Sequence, residues 1–125
     1  MTQEDKELLL KDLCARLPYG VKCKYYDWCE DDYDEGTILG FERKEYIVIN
    51  GKCSNVEEVK PYLFPLSSMT EEQGNEYHEL IRGMFGTSAL INFEALEEFF
   101  HKNHIDYRGL IPMGLAIDAT GLNIY

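Results

Sequence analysis

The residues best placed to do chemistry lie between Asp27 and Glu35, where six carboxylates and two large rings fall within nine positions. Glu30, Asp32 and Asp34 alternate, which invites a calcium reading. The register fails. Counted from Glu30, the sixth position is Glu35 where a calcium loop needs glycine, and the twelfth is Phe41 where it needs glutamate. A patch for a basic or cationic partner is what these residue types support. Trp28 and Tyr33, flanked by Glu30, Asp31, Asp32 and Asp34, are the expected binding residues, because ring faces attract cations and carboxylates add charge. The competing expectation is that both rings fold back to roof the sheet beneath them.

Catalytic arrangements are thin. Glu98-x-x-His101 has the spacing used in di-iron bundles, but those need two such motifs on facing helices and only one is present. His101 and His104 are expected to sit near a helix C-terminus, where proton-bearing groups oppose exposed carbonyls. Ser67 and Ser68 precede a helix and read as turn residues. No Gly-x-Ser-x-Gly elbow, phosphate loop or dinucleotide fingerprint occurs. No catalytic residue, metal ligand or cofactor is assigned. A small enzyme remains the third reading, with a site that sequence does not display.

Composition sets the class. The 125 residues fit a single domain spanning 1–125, and the 45% apolar fraction is enough for a real core. Net charge is −11, which disfavours binding to a phosphate backbone and permits a basic protein partner. Cys14, Cys23, Cys29 and Cys53 include no Cys-x-x-Cys pair, so they read as reduced thiols, with Cys14 and Cys23 on apolar faces. The first seven residues are charged and lack a signal-peptide profile. No apolar run reaches the ~20 residues of a membrane span. A cytoplasmic protein with no membrane partner is expected.

The elements that must position these groups follow from periodicity. Leu9, Leu10, Leu13 and Leu17, with Cys14 on the same side, predict a helix from a Thr2 cap that stops near Leu17, before Pro18. Val21, Cys23 and Tyr25 alternate with Lys22, Lys24 and Tyr26 as a half-buried strand, and strands follow at 37–41 and 46–49. The acidic segment is read as the connection between the first two. Asn50-Gly51 marks a turn and Val56–Val59 a short fourth strand or strand-like edge. Pro61 and Pro65 then impose an extended, turning path. Thr70-Glu71-Glu72-Gln73 fits a capping box for a helix whose apolar face is Tyr77, Leu80, Ile81, Met84 and Phe85. Residues 86–91 read as a connection, and Asn92 as the cap of a helix with Phe93, Leu96, Phe99 and Phe100 inward. The apolar tail from Ile105 should pack, as a helical turn and then a short strand. Within it, Arg108 is expected to ion-pair with Asp106 or with an acidic helix.

Three blocks carry a resemblance: Lys11–Val21, Val59–Thr70, and Asp106–Ile111 with Gly114-Leu115-Ala116. Together they resemble a family of short hypothetical proteins from gut Bacteroides genomes and their phages or mobile elements. The resemblance implies a source and a lifestyle, and it transfers no catalytic residue.

The expected fold is α+β: an N-terminal helix, a small antiparallel curled sheet or SH3- or Tudor-like barrel, then two helices and a packed C-terminal tail. The expected function is a non-catalytic interaction protein, of phage or mobile-element origin, that presents an acidic face to a basic protein partner. The rival is a nucleic-acid-binding module with Tyr25, Tyr26 and Trp28 as stacking platforms beside Lys22 and Lys24.

Overall fold

Thr2 starts the first helix as expected. In the computed structural model, which describes residues 1–43, 45–83 and 89–125, its hydroxyl accepts from the Asp5 backbone N–H at 3.1 Å while the Asp5 carboxylate accepts from the Thr2 N–H at 3.3 Å. Helix α1 (Gln3–Arg16) buries Leu9, Asp12, Leu13 and Arg16, one face at helical spacing. Leu10 and Leu17 pack partly buried against the same core, so the expected leucine face holds, and Cys14 alone of it is exposed. Asp12 and Arg16 turn inward together beside that face as an ion pair.

After a single 3-10 turn at Leu17–Tyr19, β1 (Lys22–Asp27) runs antiparallel to β2 (Asp32–Glu42). The acidic connection is therefore shorter than expected, since its second half, from Asp32, is strand. Cross-strand pairs explain this, because Tyr26 lies opposite Tyr33 and Lys24 opposite Glu35. Strand β3 (Tyr46–Ile49) follows, with a register shift in β2 between Ile38 and Gly40. The turn at Asn50-Gly51, with φ of 52° and 75°, leads into β4 (Lys52–Asn55). Two successive positive φ values are what a type I′ hairpin requires.

The fourth strand is thus earlier than expected. Residues Val56–Glu58 form a 3-10 turn instead, because the Asn55 side chain accepts from the Glu57 N–H at 3.0 Å and caps it. The two prolines then lie within a strand, β5 (Val59–Pro65), whose first half pairs with β1. Its second half pairs in parallel with β6 (Ile105–Asp106) and β7 (Ile117–Asp118). The strand order is β4-β3-β2-β1-β5-β6, with β7 also on β5. The product, among the described residues, is a curled, mostly antiparallel seven-stranded sheet with helices before and after it, an α+β fold.

The capping box at Thr70 forms in both directions, at 3.0 and 3.2 Å, and opens α2 (Glu71–Gly83). Met84, Phe85 and the connection at 86–88 lie outside the described residues. Helix α3 (Ala89–Lys102) begins earlier than Asn92, which is an interior position and not a cap. Interior asparagine costs only a few tenths of a kcal/mol, less than the helix gains by extending through Ala89-Leu90-Ile91. Phe93 is 48% exposed instead of inward-facing. Phe99, Phe100 and Ile105 form a second core cluster with Tyr77, Leu80, Leu96 and Tyr107. The first cluster joins Leu9 and Leu13 to Val21, Ile47, Ile49, Leu63 and Leu110. Among the described residues, no helix is long and apolar enough to cross a membrane.

His101, in α3's last turn, and His104, just after it, are not the charged partners of its carbonyls. His104 stacks on Tyr125 with ring centroids 3.7 Å apart, and its Nδ1 is buried with no partner among the described residues. Burial, then Arg16 and Lys22, push its pKa from the ordinary 6.5 down to about 4. Burial lowers that of His101 as well. The unfolded chain therefore takes up protons between about pH 6.5 and 4 that the folded chain refuses. Stability is complete above that window and lost as pH falls through it. His104 retains some solvent, which screens the effect, so a loss of about 1 kcal/mol is expected between pH 7 and pH 5. Urea midpoints at the two pH values check this. His104→Asn, which tolerates the local φ of 56°, should flatten the dependence, and an unchanged slope contradicts the assignment.

Candidate docking surface

The pleat of β1 decides which side chains face the core. Cys23, Tyr25 and Asp27 are buried, leaving Lys24 and Tyr26 on the outer face. Pairing carries the pattern into β2: Tyr33 and Glu35 join the outer face, while Asp32 and Asp34 share the face of Asp27 and Tyr25. The expected patch is thus divided. Trp28, Glu30 and Asp31 occupy the turn, Tyr33 stands on the outer face, and Asp32 and Asp34 project on the other side.

Asp27 leaves the acidic surface altogether. It is 4% exposed, ion-pairs with Lys52, and accepts from the Cys29 N–H at 2.9 Å. The Lys52 bond, assisted by the Cys29 and Glu30 N–H groups, holds its carboxyl below the usual range. Its role is to shape the turn that carries Trp28.

Trp28 and Tyr33 do not roof the sheet. They are 70% and 60% exposed, and both stand against Tyr26, which is half-buried. Ring centroids are 4.8 Å apart for Tyr26–Trp28 and 5.2 Å for Tyr26–Tyr33, at interplanar angles of 74° and 80°. Tyr26 is the floor and the other two are walls steeply inclined to it, an arrangement edge-to-face quadrupoles favour. Trp28 is held from a distant segment, since its indole N–H donates to Glu58 Oε2 at 2.7 Å. The Tyr26 hydroxyl donates to Asp31, which raises the phenol pKa. Lys24 places its ammonium 5.0 Å from the Tyr33 ring centroid.

All of these side chains but Asp31, with Glu57 and Lys60, line a groove of about 340 Å³. Lys60 lies opposite Lys24 across the β1–β5 pairing. Glu57 is engaged by Lys6 at 2.6 Å, which lowers its pKa, so the rim carboxylates supply charge while already bonded. The arrangement offers three ring faces together with two carboxylates, Glu57 and Glu58, and two ammonium groups, Lys24 and Lys60.

Glu58 and Lys60 escaped sequence reasoning because they lie some thirty residues from the turn. Their alternation with buried Val59 was the available signal. The stacking platform proposed for nucleic acid is corrected: Tyr25 is 2% exposed, its hydroxyl held by Asn50 at 3.2 Å. The Lys22 ammonium turns to the Ile124 carbonyl at 2.8 Å.

A second polar concentration lies at the junction of α1, α3 and the tail. Asp12 Oδ2 accepts from Arg16 Nε at 2.7 Å and Asp12 Oδ1 from Arg108 Nε at 3.0 Å. Arg16 Nη2 donates to the Ile105 carbonyl at 2.6 Å, and Tyr107 packs beside both guanidinium groups. Of the two expected partners for Arg108, the helix is the right one. Asp106 instead accepts from the Leu110 and Ile111 N–H groups, both at 2.9 Å. His101 Nε2 lies 2.9 Å from the Tyr107 hydroxyl. This network fastens α1 to the tail and reads as structural. Among the described residues, no three His, Cys, Asp or Glu side chains converge to hold a metal. The chain matches no protein-family model, no curated protein and no solved structure.

Proposed function

We propose that this chain is a non-catalytic interaction protein that docks a basic protein segment on the outer face of β1, β2 and β5. One observation carries the reading: a tryptophan and a tyrosine, 70% and 60% exposed, flank a groove whose lining carries Glu57 and Glu58 alongside Lys24 and Lys60. Large exposed rings of this kind are typical anchors of protein interfaces. The chain's net charge of −11 would steer a basic partner toward it.

Trp28 is the only tryptophan, so its emission reports directly on the groove. Titration with a Lys/Arg-rich peptide should change that emission saturably, and a Glu-rich peptide of equal length should not. No change with the basic peptide removes the proposal. Lys24 and Lys60 beside the rings favour a second reading, single-stranded nucleic acid stacked on Tyr26, Trp28 and Tyr33. An oligonucleotide arm at low and high salt separates the two, since phosphate contacts weaken steeply with salt. We place the protein in the cytoplasm, where exposed Cys14, Cys29 and Cys53 would remain free thiols. The three-block resemblance supports a phage or mobile-element origin.

A further inference from the structure

The groove already contains two cations of its own, Lys24 and Lys60, of which Lys24 is the one over a ring. Lys24 lies over Tyr33, tethered to the same strand as the floor ring Tyr26. Any incoming lysine must compete with it. An intramolecular ammonium has a high effective concentration, so exchanging it for an identical group from another molecule yields little. A ligand must therefore prefer ring faces more strongly than a primary ammonium does.

Hydration says which cation qualifies. A primary ammonium carries three N–H donors that each need an acceptor. The walls here are ring faces, and Glu57, Glu58 and Asp31 each have an oxygen engaged by Lys6, Trp28 and Tyr26 respectively. A methylated ammonium has few or no donors to satisfy, is weakly hydrated, and keeps its full charge. Three rings meeting at steep angles, with carboxylates at the rim, suit such a group. Plain charge attraction would not require the walls to be aromatic.

We infer that the outer-face groove selects a methylated lysine on the basic partner, with Tyr26 as floor, Trp28 and Tyr33 as walls, and Lys24 as the internal occupant that is displaced. Glu58 is a positioning residue, because it orients Trp28 and touches the ligand only through charge. The inference rests on the docking reading above and narrows it to one chemical group.

The test uses the full chain and two basic peptides identical except for one residue, lysine or trimethyllysine, followed by Trp28 emission. The trimethylated peptide should bind roughly tenfold more tightly. Tetramethylammonium chloride should produce the same emission change at high concentration, where ammonium chloride of equal ionic strength does not. Lys24→Gln should strengthen the trimethylated peptide several-fold, because the internal competitor is gone. The same substitution should weaken an oligonucleotide, whose phosphates lose a cation. Equal binding of both peptides overturns the selectivity and leaves the docking reading standing. Failure of both peptides with the folded chain removes the two together. Weaker binding of the trimethylated peptide to Lys24→Gln also overturns the inference, since it would make Lys24 a contact and not an occupant.

Discussion

Asp12→Ala is expected to cost about 3–5 kcal/mol of folding stability, the scale for removing one partner from a buried ion pair. Asp12 and Arg16 are both fully buried, and Asp12 is the carboxylate shared by Arg16 and Arg108. Without it, Arg16 would keep its bond to the Ile105 carbonyl but hold an uncompensated charge among apolar neighbours. Its Nη1 is already buried with no partner among the described residues, so the site has no slack. The measurement is the urea midpoint followed by far-ultraviolet circular dichroism. Replacing the whole triad with Asp12→Leu, Arg16→Met and Arg108→Met should be much milder, because no charge is left behind. A loss below about 1 kcal/mol for Asp12→Ala would mean that the network is solvated and that α1 is held by Leu9 and Leu13 alone. The network bears on function at one remove, since it anchors the segment whose β6 pairs with β5, the strand of Lys60.

Trp28→Ala should reduce affinity for the basic peptide about thirtyfold or more, the loss of at least ~2 kcal/mol that defines an interface anchor. Stability should change by no more than about 0.5 kcal/mol, because the ring is 70% exposed and its one indole bond is on the surface. Anisotropy of a labelled peptide reads the affinity, as the variant has no tryptophan. Glu58→Gln should lose less, because an amide oxygen can still accept from the indole while the rim charge falls by one. Equal affinity of wild type and Trp28→Ala would move the contact off the outer face, toward Asp32 and Asp34 on the other side of the hairpin.

The parts of the fold that were legible in the sequence are those set by local rules. The Thr2 and Thr70 caps, the Asn50-Gly51 turn and the alternation of Val21, Cys23 and Tyr25 each follow from a few neighbouring residues. What escaped was set by partners far along the chain. Asp12 and Arg16, four apart on a helix, look like a surface pair until Arg108 arrives from the tail. Pro61 reads as part of an extended, turning path, and the path is extended, but its pairing as a strand opposite Cys23 depends on β1. Asp32 to Glu35 reads as loop because carboxylates rarely favour strands, but the ring pair Tyr26–Tyr33 and the bond from the Tyr62 hydroxyl to the Glu35 carboxylate hold them in place. At the site, Trp28 and Tyr33 were visible as residue types. Their exposure, the floor ring beneath them and the division of the carboxylates between two faces depended on hairpin register, which periodicity alone did not reveal.

The most direct measurement is a backbone and indole amide shift map of the chain titrated with the Lys/Arg-rich peptide. The account predicts perturbations concentrated at Lys24, Tyr26, the Trp28 indole, Tyr33, Glu58 and Lys60, growing together along one binding curve. Perturbations gathered instead on Asp32, Asp34 and the Asp27–Lys52 side of the hairpin, with the Trp28 indole unmoved, would contradict it.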